Sequence, residues 1–131
     1  MSYNINRIKN IIVSKNKILL FAGSINSQSV NRKIVEQAAR MLNSHQTRLI
    51  DLRDFPTPIF SVDPEEKEGV PQLAYKLNKL FQKHDALIVS VAENNASVAS
   101  CFKNTMDWVS RTQDKYEKNM FGTIFNVKSI N

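Results

Sequence analysis

From Lys17 to Arg111 the chain alternates short, continuous apolar runs with longer stretches whose apolar positions recur every three or four residues. Residues 17–22 (KILLFA) form an unbroken apolar run, which marks a strand buried on both faces. Residues 31–43 then place Ile34, Val35, Ala38, Ala39 and Leu42 on one stripe, the pattern of an amphipathic helix. Residues 47–52 (TRLIDL) predict a second short strand, and residues 53–68 a long loop punctuated by Pro56, Pro58 and Pro64. Pro71 suits the first position of a helix, whose apolar stripe is Leu73, Leu77, Leu80 and Phe81. Residues 85–91 (DALIVSV) read as a third, central strand, and Phe102, Thr105, Met106 and Val109 as the inward face of a third helix. A fourth strand is expected at residues 120–127 (MFGTIFNV).

Strands alternating with helices predict a doubly wound parallel sheet covered on both faces, a three-layer α/β/α domain, and right-handed crossovers leave few topologies for it. There are no internal repeats, low-complexity tracts or linkers, so residues 17–131 read as one domain. Residues 1–16 read as an N-terminal extension, in which Ile5, Ile8, Ile11 and Ile12 share one helical face.

Composition narrows the function. A length of 131 residues fits one domain with a proper core, and no apolar run is long enough to cross a bilayer. The net charge of +6 is skewed: no acidic residue precedes Glu36, whereas Arg7, Lys9, Lys15, Lys17, Arg32 and Lys33 all lie before it. No arginine-rich or aromatic-interleaved basic motif accompanies that charge, so an anionic small ligand is expected rather than nucleic acid. The single cysteine, Cys101, excludes an internal disulfide and fits a reducing, cytoplasmic setting. It falls near a predicted helix start, where a thiol can turn acidic, though a lone helical cysteine is ordinarily a packing residue. His45 and His84 have no partner at ligand spacing, so no metal site is expected.

Two strand-to-helix crossings carry the candidate chemistry, because ligands of open α/β sheets bind beyond the carboxyl ends of the strands. The first, residues 21–31, has neither the Gly-x-Gly-x-x-Gly of a dinucleotide site nor a Gly-Lys-Ser/Thr phosphate loop. It instead crowds Ser24, Ser27, Ser29 and Asn31 around a predicted helix N-terminus, where free N–H groups and the helix dipole favour an anion. The same residues are also ordinary N-caps. The second crossing, residues 92–97, has no glycine or proline and offers Glu93, Asn94, Asn95 and Ser97 to the edge of a flat cofactor. Together the loops point to a flavin mononucleotide. On the helix that follows, Lys103 and Asp107 are spaced as a surface pair, and Trp108 is placed to cap the core or an oligomer contact.

The residues taken together resemble the NADPH-dependent FMN reductases, a flavodoxin-like family with azo-, chromate- and quinone-reducing members. The family's first loop, Gly-Ser-x-Arg-x-x-Ser-x-Asn, is matched by Gly23, Ser24, Ser29 and Asn31. Its Asp-Leu and proline-bearing loop correspond to Asp51, Leu52, Asp54, Pro56, Pro58 and Asp63. Its Pro-Glu-Tyr-Asn-Gly-Ser loop and Leu-Lys-Asn-x-x-Asp-Trp-x-Ser-Arg helix correspond to Glu93, Asn95, Ser97, Lys103, Asn104, Asp107, Trp108, Ser110 and Arg111. The resemblance implies FMN as cofactor and NADPH as hydride donor, with a small molecule such as a quinone, azo compound or metal oxyanion as acceptor. It also implies Ser24, Ser29 and Asn31, helped by Asn26 or Ser27, on the phosphate, and Glu93, Asn94, Asn95 and Ser97 along the ring. No acid–base residue is required, because the flavin carries the chemistry. The helix from Lys103 to Arg111 would support the loop and a contact in a homodimer or homotetramer.

The departures matter as much. Asn26 stands where the family has an arginine, Asn94 where it has a tyrosine, Ala92 where it has proline and Ala96 where it has glycine. Loss of one charge-assisted hydrogen bond is worth about 1.5–3 kcal/mol, roughly ten- to a hundred-fold in affinity. The family also continues with a flavin-side glycine loop, a helix and a fifth strand, so this chain reads as C-terminally truncated, with three to four strands. The competing expectation is a truncated or degenerate member acting as a weak flavin binder or a protein-interaction module.

Overall fold

The computed structural model describes residues 16–42 and 46–112. The extension before Asn16 and the strand expected at residues 120–127 lie outside the described residues. In chain order the elements are β1 (Lys17–Gly23), α1 (Val30–Met41), β2 (Gln46–Ile50), a 3₁₀ turn (Leu52–Asp54), α2 (Val62–Glu68), α3 (Gln72–Gln82), β3 (Ala86–Val91), the short strands β4 (Glu93–Asn94) and β5 (Ser97–Val98), and α4 (Ser100–Ser110). The main sheet is parallel with order β2-β1-β3, and Phe21 pairs with Ile50 on one side and Val89 on the other. A crossover from β1 outward to β2 and then back past β1 to β3 is the flavodoxin-like winding, and it opens a crevice beyond β1 and β3.

The unbroken apolar run of β1 follows from its central place. Leu19 and Phe21 pack with Leu77, Phe81, Phe102, Met106 and Val109 on one side, while Ile18, Leu20 and Ala22 pack with Val35 on the other. Phe21 and Phe81 stack with ring centroids 5.8 Å apart. Because successive side chains of a strand point to opposite faces, only a strand with two covered faces needs every position apolar.

The structure departs from the sequence expectations in identifiable places. Among the described residues β1, not β3, is the central strand, and every residue of β3 retains some exposure. Ile34 does not join the core: it is 53% exposed, and contact is made by Val35, Ala38, Ala39 and Leu42. Those four follow the i, i+3, i+4, i+7 rule, and a residue one position earlier turns about 100° away from them. The expected long loop at 53–68 begins with the 3₁₀ turn, capped by the Asp51 side chain, and ends with α2. Pro71 is the N-cap of α3 rather than its first residue. The third helix is as expected, with Phe102, Thr105, Met106 and Val109 all buried, and Trp108 joins them at 1% exposure.

Candidate functional site

Gly23 ends β1 at a point of close approach. A Cβ there would lie 3.0 Å from the Phe102 ring and 3.2 Å from the Cα of Val91, so a side chain would push the two loop-bearing strands apart. The Ala92 N–H donates to the Gly23 carbonyl at 3.3 Å, extending the β1–β3 ladder to the mouth of the site. The two crossings thus leave the sheet side by side.

In the first crossing Ser24, Asn26 and Ser29 each spend a side-chain acceptor on the backbone. Ser24 Oγ accepts from the Asn26 N–H at 3.2 Å, Asn26 Oδ1 from Gln28 N–H at 3.1 Å, and Ser29 Oγ from Arg32 N–H at 3.3 Å. Ser29 is the N-cap of α1 and is buried. Asn31 Oδ1 accepts from Ser90 Oγ at 2.7 Å, pinning the start of α1 to β3. Among the described residues these side chains keep their donors: hydroxyl hydrogens on Ser24 and Ser29, and the Nδ2 amides of Asn26 and Asn31. The first N–H groups of α1 have no intrahelical acceptor either. A turn whose acceptors are used internally and whose donors remain is suited to an oxyanion. Ser27 is exposed and makes no side-chain hydrogen bond among the described residues.

The second crossing is not an irregular loop but a two-residue hairpin. β4 and β5 pair antiparallel, with Glu93 opposite Val98 and Asn94 opposite Ser97. Asn95 and Ala96 form the turn with φ of 52° and 64°. Positive φ at both central residues is the type I′ geometry that favours Asn-Gly, so a non-glycine residue at position 96 is held in a strained conformation. The base of the hairpin is closed by Ala99 N–H on the Ala92 carbonyl at 2.8 Å. Glu93, Asn94, Asn95 and Ser97 are all exposed on it, a polar platform with no aromatic face.

Two arginines that the motif reading did not single out border the first crossing. Arg32, Asp51 and Arg53 line one shallow depression together with Ser24, Asn26 and Ser29. Asp51 Oδ2 lies 2.5 Å from Arg32 Nη1 and 2.7 Å from Arg53 Nη2. The Arg53 guanidinium, hydrogen-bonded to Asp51, holds that carboxyl below its ordinary range against the opposing push of burial. The available signals were the arginine directly after Asn31 and the one directly after Asp51-Leu52, but sequence separation hid that they meet.

Away from the mouth, the Asn104 and Trp108 side chains latch the proline loop. Asn104 Oδ1 accepts from the Phe60 N–H at 2.6 Å, and its Nδ2 donates to the Pro58 carbonyl at 3.0 Å and Thr57 Oγ1 at 3.2 Å. Trp108 Nε1 donates to the same Pro58 carbonyl at 2.7 Å, and its ring meets Phe60 edge-on at 5.0 Å. Arg111 lies 5.2 Å over the Phe60 ring and pairs with Glu65 at 3.2 Å. Lys103 and Asp107 form the expected surface pair. Among the described residues there is no group of metal-ligating side chains and no helix long and apolar enough to cross a membrane.

Comparison with known proteins agrees with this architecture. An uncharacterized protein of Mycoplasma pneumoniae, the MG342 homolog, is 35% identical over 108 residues, 82% of this chain and 61% of that protein. A quinone reductase of Escherichia coli K12 is 26% identical over 105 residues, 77% of this chain and 54% of its own length. An NAD(P)H-dependent FMN reductase of Pseudomonas aeruginosa is 28% identical over 100 residues, 76% of this chain and 52% of its own. Among solved structures, the flavoenzyme FerB of Paracoccus denitrificans, an NAD(P)H:(acceptor) oxidoreductase, superposes with a TM-score of 0.57 at 22% identity, covering 73% of this chain and 51% of FerB. The chain therefore spans roughly half to three-fifths of the length of these relatives. A sequence profile described as NADPH-dependent FMN reductase matches residues 16–127, nearly the whole chain, and the protein belongs to that family.

Proposed function

We propose that this chain binds FMN across the two crossings and serves NAD(P)H-dependent reduction of a small acceptor such as a quinone, azo compound or metal oxyanion. The observation that carries the reading is the first crossing, whose side chains use their acceptors internally and keep their donors for a phosphate. Ser24, Asn26, Ser27, Ser29 and Asn31 are assigned to the phosphate, and Glu93, Asn94, Asn95 and Ser97 to the edge of the ring. Bound FMN would supply the redox chemistry, accepting a hydride equivalent from NAD(P)H and returning two electrons to the acceptor. The protein's part is to orient: Gly23 keeps the crossings adjacent, the Asn31–Ser90 bond fixes α1 against β3, and the hairpin presents one polar face. Assembly as a homodimer or homotetramer and a cytoplasmic location belong to the same proposal.

A second reading, a family member that keeps the scaffold without turnover, has its own support. Asn94 removes the aromatic surface from the hairpin, and Asn26 removes a charge from the loop. The two readings separate on the purified protein. Visible absorption and quenching of FMN fluorescence measure binding, and loss of NADPH absorbance with an added quinone measures turnover. Binding at micromolar FMN with quinone-dependent NADPH oxidation upholds the enzyme. Binding without oxidation upholds the second reading, and Asn94→Tyr should then restore part of the activity.

A further inference from the structure

We propose that Arg53, in the 3₁₀ turn after β2 and backed by Arg32 of α1, is the cationic part of the phosphate site. The proposal rests on the FMN reading above and deepens it. Three observations carry it. Both arginines line the same depression as Ser24, Asn26 and Ser29, so cationic and hydroxyl-bearing residues border one space although they come from three separate stretches of chain. Asp51 holds them there: Arg53 reaches it through Nε and Nη2, and Arg32 through Nη1, with Arg32 Nε on Glu36 at 3.1 Å. The remaining guanidinium N–H groups of both arginines have no acceptor among the described residues, and the side chains are 46% and 33% exposed for Arg53 and Arg32.

The physical advantage lies in pre-organisation. An arginine already fixed by a carboxylate gives up little further rotamer freedom when it takes a phosphate oxygen, and its planar fork leaves an outer edge for that contact. Asn26 meanwhile contributes an amide in a turn that its own Oδ1 stabilises. The alternative role for the cluster is an ion-pair staple between α1 and the end of β2. A staple would affect folding stability but would not distinguish ligands with and without a phosphate.

The test uses that distinction. FMN and riboflavin, which differ by the phosphate alone, are titrated by flavin fluorescence into the 131-residue protein and into Arg53→Gln and Arg53→Lys. The expected result for Arg53→Gln is FMN binding weakened about ten- to a hundred-fold with riboflavin binding unchanged, and an intermediate loss for Arg53→Lys. Equal weakening of both flavins, or no change in either, overturns the assignment. If the unaltered protein binds neither flavin, the FMN reading falls, and inorganic phosphate decides the remainder. A rise in Tm with phosphate that Arg53→Gln abolishes upholds an anion site at Arg53. No rise, or the same rise in both proteins, overturns it.

Discussion

Asn104→Ala should destabilise the protein by about 2 kcal/mol, more than a helix residue of its exposure ordinarily would. Its side chain makes three hydrogen bonds to the proline loop, to Phe60 N–H, the Pro58 carbonyl and Thr57 Oγ1. A neutral hydrogen bond contributes a net of about 0.5–1.5 kcal/mol, so three give roughly 1.5–4.5 kcal/mol. Exposure favours the lower part of that range, because water replaces part of what is lost at Pro58 and Thr57. Alanine is a better helix former than asparagine and returns a few tenths of a kcal/mol. Trp108→Phe removes one donor to the same Pro58 carbonyl, worth about 1 kcal/mol, and the smaller ring leaves a cavity that adds to the loss. Since both side chains meet at one carbonyl, the double variant should depart from additivity by about 0.5 kcal/mol or more. Urea unfolding of the four proteins gives the cycle, and limited proteolysis should open residues 55–61 first in Asn104→Ala. A loss below about 0.5 kcal/mol, the level of an ordinary surface substitution, would refute the latch.

Ala96→Gly relieves positive φ in the hairpin turn and should stabilise the protein by up to about 1 kcal/mol, read as a higher urea midpoint; an unchanged or lower midpoint counts against the strained turn. Asp51→Asn tests the arginine cluster by pH. The carboxyl is held below its ordinary pKa in the folded protein, so its stabilisation is full above about pH 4 and is lost as pH falls through the folded value. Wild type should therefore be the more stable near pH 7, with the gap closing as pH falls through the folded value of Asp51. A gap independent of pH would show that Asp51 acts by packing alone.

The second crossing and its helix separate what ancestry and activity require. Asn104 and Trp108, which carry much of the family resemblance, spend their polar groups on the proline loop rather than at the mouth of the site. The hairpin, where a flavin ring would lie, is where the chain departs from the family pattern, at Asn94 and Ala96. The turn takes type I′ geometry with alanine at the position that favours glycine, so the residue there costs energy without preventing the hairpin.

Sequence alone determined the alternation of strands and helices, the double-sided burial of β1 and the inward face of α4, because these depend on local periodicity. It also singled out the first crossing as a candidate anion loop, although hydroxyls and amides before a helix serve equally as N-caps, as Ser29 does here. It could not separate Ile34 from Val35 on α1, because one residue of rotation decides which meets the sheet. Nor could it find the hairpin, as Asn95-Ala96 carries no glycine to announce a type I′ turn. Only tertiary structure brought Arg32 and Arg53 to the serines of the first loop. They lie on different elements, and their meeting is decided by the parallel register of β1 with β2, through a carboxylate that is local to Arg53 but 19 residues from Arg32.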